Sequence, residues 1–123
     1  MTFADNIRLS KNFTTNEFRC KCCGAIIIEV GLIGGLQQLR DLIGKPIIIN
    51  SGYRCEKHNK EVGGSPKSQH LLGKAADIRT LDMSPVDLAY YAKEIDVFKN
   101  GGIGLYPNFV HLDVRGYPAR WKY

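Results

Sequence analysis

The strongest constraint on how this chain can fold is the stretch Ser68-Gln69-His70-Leu71-Leu72-Gly73-Lys74-Ala75-Ala76-Asp77-Ile78. It sets a histidine and a carboxylate seven positions apart across a glycine, and both are capable metal ligands. A carboxylate inside the apolar run around Asp77 is costly to bury unless it is paired or bound to a cation. Two ligands make half a site, and the only later histidine is His111, in Phe109-Val110-His111-Leu112-Asp113-Val114. A fold that completes the site must bring the C-terminal part of the chain back to its middle.

The elements that would do so can be read from pattern. Residues 1 to 13 read as an extended arm, and Thr14-Thr15-Asn16-Glu17 has the spacing of a capping box that opens one short helical turn. Leu32, Ile33, Leu36, Leu39, Leu42 and Ile43 recur at three- and four-residue steps, which predicts a helix from about Val30 to Ile43 closed by Gly44. Pro46-Ile47-Ile48-Ile49-Asn50 predicts a short buried strand. Residues 55 to 62 predict a helical turn or two, Gly63-Gly64-Ser65-Pro66 a loop, and 75 to 79 a strand carrying Asp77. Ser84-Pro85 is an N-cap followed by proline at the first helical position. The helix it opens runs to about 95, with Val86, Ala89, Tyr90 and the Lys93 stem on one face. Residues 102 to 106 and 109 to 114 predict a hairpin around Pro107-Asn108. Alternation sets Phe109, His111 and Asp113 on one side of it and Val110, Leu112 and Val114 on the other.

With 123 residues, 44% hydrophobic and 24% charged, the chain reads as one domain over 1–123 with a single modest core. Its longest apolar runs, Ala25-Ile26-Ile27-Ile28 and Ile47-Ile48-Ile49, fall far below the roughly 20 residues of a membrane helix. The N-terminus lacks the cationic-then-apolar start of a Sec-type signal peptide. The expectation is a monomer made in the cytoplasm, with no membrane insertion. A formal charge of +5 and a pI near 9.1 favour an anionic partner, whether nucleic acid, a membrane surface or the bacterial cell wall. The basic residues are scattered, and Arg115, Arg120 and Lys122 are interleaved with Tyr117, Trp121 and Tyr123 in what reads as a packed aromatic tail. Cys20, Cys22 and Cys23 cluster while Cys55 stands alone. An all-cysteine zinc site, a disulfide from the cluster to Cys55, and reduced buried thiols are all open to them.

Two imidazoles and one carboxylate, with a position left for water, are the ligand kinds of a hydrolytic zinc site. His58, near a turn and with no fixed carboxylate neighbour, reads as an ordinary hydrogen-bonded histidine. The contexts of the other two histidines are more specific. Ser51-Gly52-Tyr53-Arg54, His58-Asn59, Val62-Gly63-Gly64, Ser68-x-His70-x-x-Gly73-x-Ala75-x-Asp77-Ile78, Gly102-Ile103-Gly104-x-Tyr106 and Phe109-Val110-His111-x-Asp113 follow one another along the chain. In order and spacing the chain resembles the zinc D-Ala-D-Ala carboxypeptidase and murein endopeptidase family over about residues 12 to 116, most closely its short, phage- and prophage-associated branch.

The resemblance implies an α+β fold of the hedgehog/D-Ala-D-Ala-peptidase kind, a small mainly antiparallel sheet flanked by helices. It implies one zinc ion with His70, Asp77 and His111 as ligands. It also implies that Arg54, sixteen residues before the first ligand, polarises the scissile carbonyl and steadies the oxyanion. Ser68 and Tyr53 join Arg54 as substrate-binding residues, although Ser68 equally suits a loop cap. One departure matters. Many members carry Glu or Asp as general base three residues before the last histidine, where this chain has Asn108, and an amide takes up no proton at neutral pH. Asp113 is the substitute candidate, either as catalytic base or as acceptor of a hydrogen bond from an imidazole.

The leading expectation is a zinc metallopeptidase hydrolysing D-amino-acid-containing bonds of peptidoglycan stem peptides, as D,D-carboxypeptidase or endopeptidase, reaching the wall after lysis or on a virion. The alternative is a non-catalytic zinc domain that binds wall peptides or a protein. A third class, a cysteine-zinc nucleic-acid module, calls for a concentrated basic and aromatic surface that the scattered charges do not supply, so no nucleic-acid partner is expected.

Overall fold

In the computed structural model, which describes residues 6–123, two short strands, β1 (Arg8–Ser10) and β2 (Phe13–Thr14), pair antiparallel ahead of a 3-10 turn at Thr15–Glu17. Residues 1–5 of the expected arm lie outside the described residues. The rest of it folds back on itself, because Phe13 is buried against Phe18 with ring centroids 6.0 Å apart. Glu17 completes its half of the capping box, its Oε1 accepting from the Thr14 N–H at 2.8 Å.

Helix α1 (Val30–Ile43) has the predicted bounds and buries Leu32, Ile33, Leu36 and Leu39. Gly44 closes it at φ 66°, a conformation that a Cβ disfavours. The chain continues through β3 (Ile48–Ser51), α2 (Glu56–Glu61), a 3-10 turn at Gln69–Leu72, β4 (Ala75–Arg79), α3 (Pro85–Ala92), α4 (Asp96–Lys99), β5 (Gly102–Leu105), β6 (Val110–Asp113) and β7 (Ala119–Lys122). Strand order in the main sheet is β3-β4-β6-β5-β7, antiparallel except for the parallel β5–β7 edge. The fold is α+β, a small mainly antiparallel sheet flanked by helices. Ala76, Ile78, Ile103, Val110 and Leu112 join α1 and α3 in the core. Successive strand residues point to opposite faces, so Asp77, His111 and Asp113 are left on the other side.

Three features depart from the pattern reading. In α3 the buried residues are Leu88 and Ala92, whereas Val86 and Tyr90 are 62% and 58% exposed. Ser84 caps the helix by accepting from the Asp87 N–H, and this phase turns Leu88 and Ala92, one turn apart, toward the sheet. The helix stops at Ala92 instead of about 95, and the separate turn α4 delivers Phe98 to the core. A Cβ at Gly35 would strike Val97 and Phe98, so α1 and α4 approach closely there. The C-terminal tail forms a strand, with Trp121 opposite Gly104 on β5. Among the described residues no helix is long and apolar enough to cross a membrane.

Candidate metal centre and its cleft

Strands β4 and β6 pair with Asp77 opposite His111 and Ala75 opposite Asp113. Antiparallel register therefore sets the Asp77 and His111 side chains next to each other on one face. His70 comes from the Gln69–Leu72 turn, which Ser68 caps by accepting from the His70 N–H at 3.1 Å. Gly73 ends that turn at φ 71°, and a Cβ there would strike the Ile27 carbonyl. His70 Nε2 and His111 Nδ1 lie 3.2 and 3.0 Å from the same oxygen, Asp77 Oδ1. The donor atoms of these three buried residues lie within 4.8 Å of one another.

The far nitrogens of the two rings show what these atoms want. His70 Nδ1 lies 2.7 Å from the Gly52 carbonyl, which only accepts, so Nδ1 carries the proton and a neutral ring presents the Nε2 lone pair to Asp77. His111 Nε2 faces Asp113 Oδ2 at 2.8 Å, which leaves Nδ1 as the lone pair by the same logic. Two lone pairs and a carboxylate oxygen then converge, an arrangement that a proton or a cation must reconcile. Burial opposes ionisation of Asp77, but His111 and His70, when a proton on a ring nitrogen stands in for the cation, outweigh it and hold the carboxyl well below the usual carboxylate range. Burial also disfavours the His111 imidazolium, yet Asp113 and Asp77 outweigh it and push the pKa up. The donor set fits zinc, which takes two imidazoles and a carboxylate in hydrolytic sites.

Arg54 holds the other oxygen of Asp77, with Nη2 3.1 Å from Oδ2. Its Nε donates to Ser51 Oγ at 3.1 Å and its Nη1 to Asn59 Oδ1 at 3.3 Å. Asn59 is buried and donates to the Ser65 carbonyl at 2.8 Å, and a Cβ at Gly64 would strike its amide. Ser51 and Asn59 received no role from sequence, although both lie within the motifs that carry the family resemblance. Their nearness to Arg54, three and five residues away, was the available signal.

Asp113 is fully buried. Its Oδ2 takes His111 Nε2 and Arg115 Nη2, the latter at 2.7 Å, while Oδ1 accepts from the Gly102 N–H at 2.9 Å and Arg115 Nε at 2.9 Å. A Cβ at Gly102 would occupy the space of this carboxylate. Burial outweighed by His111 and Arg115 leaves the Asp113 carboxyl well below its ordinary range. Of the two roles open to it, this arrangement matches support of the imidazole. Asp113 does not line the cleft, its carboxylate lying behind the ring with both oxygens taken.

The centre opens into a cleft of about 1100 Å³ lined by Arg54, Ser68, His70, Asp77, His111 and Trp121 among others. Trp121 lies 5.0 Å from the His111 ring and donates to the Tyr106 hydroxyl at 3.1 Å, and Tyr106 stacks on Phe109 at 4.3 Å. These aromatics form one wall, and only β7 brings Trp121 there. Asp77 is the one carboxylate among the described lining residues. Asn108 is exposed in the hairpin turn and does not line the cleft. Tyr53 does not line it either. Burial raises its phenol pKa, and the charges that add to the rise are those of Cys55, Cys20, Cys23 and Glu56. His58 lies in α2 with its ring 4.0 Å from Glu61.

Comparison with known proteins agrees with this geometry. Over 44 residues the chain is 46% identical to the zinc D-Ala-D-Ala carboxypeptidase of Streptomyces albus G, which covers 35% of this chain and 17% of the relative. Over 78 residues it is 35% identical to the probable peptidoglycan L,D-endopeptidase MepK of Haemophilus influenzae, which covers 58% of this chain and 40% of the relative. The chain thus spans less than half the length of either curated relative. The sequence profile described as Peptidase M15 matches residues 11–113, a span that takes in Arg54, all three converging ligand candidates and Asp113. By that match over most of its length, the chain belongs to the peptidase M15 family.

Proposed function

We propose that this chain is a zinc peptidase that hydrolyses D-amino-acid-containing bonds in the stem peptides of bacterial peptidoglycan, as a D,D-carboxypeptidase or an endopeptidase. The observation that carries this reading is the convergence of His70 Nε2, Asp77 Oδ1 and His111 Nδ1 at the floor of an open cleft. A zinc ion held by these residues would supply Lewis acidity, polarising the scissile carbonyl and making water nucleophilic near neutral pH.

The chain's own groups do the rest. The Arg54 guanidinium donates to the carbonyl oxygen as negative charge grows on it, and its bonds to Asp77, Ser51 and Asn59 fix it so that little reorganisation accompanies the reaction. Asp113 is a positioning residue that keeps the His111 Nε2 protonated and Nδ1 turned to the centre. Ser68, whose oxygen caps the turn bearing His70, retains its own hydroxyl hydrogen for a substrate carbonyl or carboxylate at the cleft edge. Tyr106 and Trp121 flank one side of the bound peptide. The net charge of +5 favours anionic wall polymers. Membership in the M15 family and the activities in the names of the two relatives support the same reading.

A second reading draws on Asn108 and on the lack of a second carboxylate among the described lining residues. In it the domain binds wall peptides around zinc without cutting them. Purified muropeptides incubated with zinc-loaded, chelated and reconstituted protein, with products weighed by mass spectrometry, separate the two. Chelator-sensitive release of D-alanine or opening of a crosslink supports the peptidase and identifies the bond. Binding by the zinc-loaded protein with every bond intact defeats it in favour of the second reading.

A further inference from the structure

A second set of ligand atoms converges away from the cleft. The sulfurs of Cys20, Cys23 and Cys55 lie within 4.8 Å of one another, although Cys55 is more than thirty residues from the other two. Cys22, the neighbour of Cys23 in sequence, is exposed. We propose that Cys20, Cys23 and Cys55, completed on the solvent side by Cys22, bind a second zinc ion in a closed structural site that fixes the segment bearing Arg54.

Local geometry supports this at each ligand. Cys20-Lys21-Cys22-Cys23-Gly24 has the C-x2-C spacing that lets one tight turn present two sulfurs to one metal. The turn is closed by the Gly24 N–H on the Cys20 carbonyl at 2.8 Å and the Cys20 N–H on the Ala25 carbonyl at 2.7 Å, with Gly24 at φ 77°. Backbone N–H groups are aimed at the sulfurs, that of Cys55 at Cys20 Sγ (3.5 Å) and that of His58 at Cys55 Sγ (3.4 Å). Such donors are weak partners for a neutral thiol and good ones for a thiolate. Although burial works the other way, N–H donors from Cys55, Cys22 and Cys23 pull the Cys20 thiol down to about 7. Cys22 and Cys23 are pushed up, in part by the sulfurs beside them. Crowded thiols of this kind cannot all ionise without a cation among them.

Zinc is the metal the donors select, since four thiolates at tetrahedral angles and about 2.3 Å from the metal sit roughly 3.8 Å apart. Sulfurs already within 4.8 Å need only a small inward movement. A single disulfide would join only two of the three converging sulfurs, whereas one zinc engages all of them.

The site has a consequence for the cleft. Cys55 follows Arg54 directly, and the Tyr53 N–H donates to the Phe18 carbonyl at 2.9 Å. A Cβ at Gly52 would meet the Phe18 backbone, and the Gly52 carbonyl is the partner of His70. A metal joining residues 20–23 to Cys55 therefore clamps the segment that orients both His70 and Arg54.

The full chain, purified under reducing conditions, tests this by zinc content and by cobalt replacement. Two zinc ions per chain are expected in the wild type, one in His70→Ala and one in Cys20→Ser/Cys23→Ser. On cobalt, His70→Ala should keep an intense thiolate-to-cobalt charge-transfer band that the cysteine variant lacks. A single zinc that leaves with His70→Ala, and no thiolate band on cobalt, overturns the proposal. The wild type decides if the cysteine variant does not fold. A mercurial thiol reagent should then release one of the two zinc ions to a chromogenic chelator. Release of none, or an intact mass lighter by the hydrogens of a disulfide, overturns it. None of these readouts depends on peptide hydrolysis, so failure here and failure of the peptidase reading are separable.

Discussion

The two ligand clusters are both tied to the segment 52–55, through the Gly52 carbonyl and Arg54 on one side and Cys55 on the other, and are built on opposite principles. The cleft centre takes two of its donors from paired strands, Asp77 on β4 and His111 on β6, and each of its imidazoles has its far nitrogen already engaged. The thiol cluster takes its donors from turns, and its partners are backbone N–H groups aimed at sulfur. Neutral nitrogens and one carboxylate beneath an open cleft leave room for a substrate, whereas thiolates enclosing a metal leave none. Rigid strands serve where donor geometry must survive the approach of a ligand, and a metal can itself supply the rigidity where the backbone is a loop.

The largest effect should come from breaking the cleft centre alone. His111→Ala removes a ligand and the partner of Asp113 together. Loss of Lewis-acid assistance worth several kcal/mol corresponds to a fall in muropeptide hydrolysis on the order of 10³-fold or more. Zinc at the cysteines should stay, so metal content should drop by half. If hydrolysis persists at wild-type rate in this variant, the chemistry is elsewhere.

Arg54→Lys sharpens the comparison, because it alters the shared segment without replacing a ligand of either metal. Lysine keeps the charge but cannot hold Asp77, Ser51 and Asn59 at once as the guanidinium fork does. A fall in kcat of roughly 10²–10³-fold with unchanged metal content is expected from the loss of a fixed oxyanion donor. A change confined to KM would assign Arg54 to ground-state binding instead.

These effects also separate what could be read from sequence. Helix α1 and strands β4 and β6 were legible because their apolar residues keep one period and end at Gly44 or at a turn. His70, Asp77 and His111 were legible as ligand types, since a buried carboxylate between alanines and isoleucine calls for a partner. The support around them was not. Asn59 is locked by Gly64, Asp113 by Gly102 and Arg115, and Trp121 packs over Gly104, contacts fixed by the tertiary fold. Helix α4, four residues long, is too short to display a period, and the phase of α3 was set by its cap rather than by its most apolar-looking residues. The cysteines left three states open in sequence because only the fold brings Cys55 to Cys20 and Cys23.

Asp113→Asn probes support rather than ligation. An amide still accepts from the Gly102 N–H, but it meets His111 Nε2 and Arg115 without the charge that orients the ring. Metal affinity at the cleft should weaken about 10–100-fold, measured by competition with a chromophoric chelator, while the thiolate site is unchanged. Equal weakening at both sites would mean that the variant loosens the fold and not the ring.

The smallest effect is a pH dependence of the metal-free protein, in which His111 of the cleft and Cys20 of the thiol cluster act with opposite sign on the alkaline side. Asp77 and Asp113 have carboxyl pKa values held below 3.8, so their stabilisation is full above that pH and is lost as pH falls through the folded values. His111 is raised above 6.5, so its stabilisation is full below 6.5 and is lost as pH rises through its folded value. Cys20, lowered from 9.0 to about 7, acts oppositely, adding stability as pH rises above about 7, while the raised Cys22 and Cys23 subtract stability only as pH rises through 9.0. The two trends overlap on the alkaline side, and Asp113→Asn separates them because it removes one of the two carboxylates that raise His111 and leaves the cysteines alone. Thermal unfolding midpoints of the metal-free wild type and variant should therefore converge as pH rises above 6.5. A zinc ion held by His111 Nδ1 would stand where the extra proton of the imidazolium sits, so in the zinc-loaded pair the alkaline convergence should disappear. A constant gap between metal-free wild type and variant from pH 6 to 9 would show that Asp113 supports the ring without raising its proton affinity.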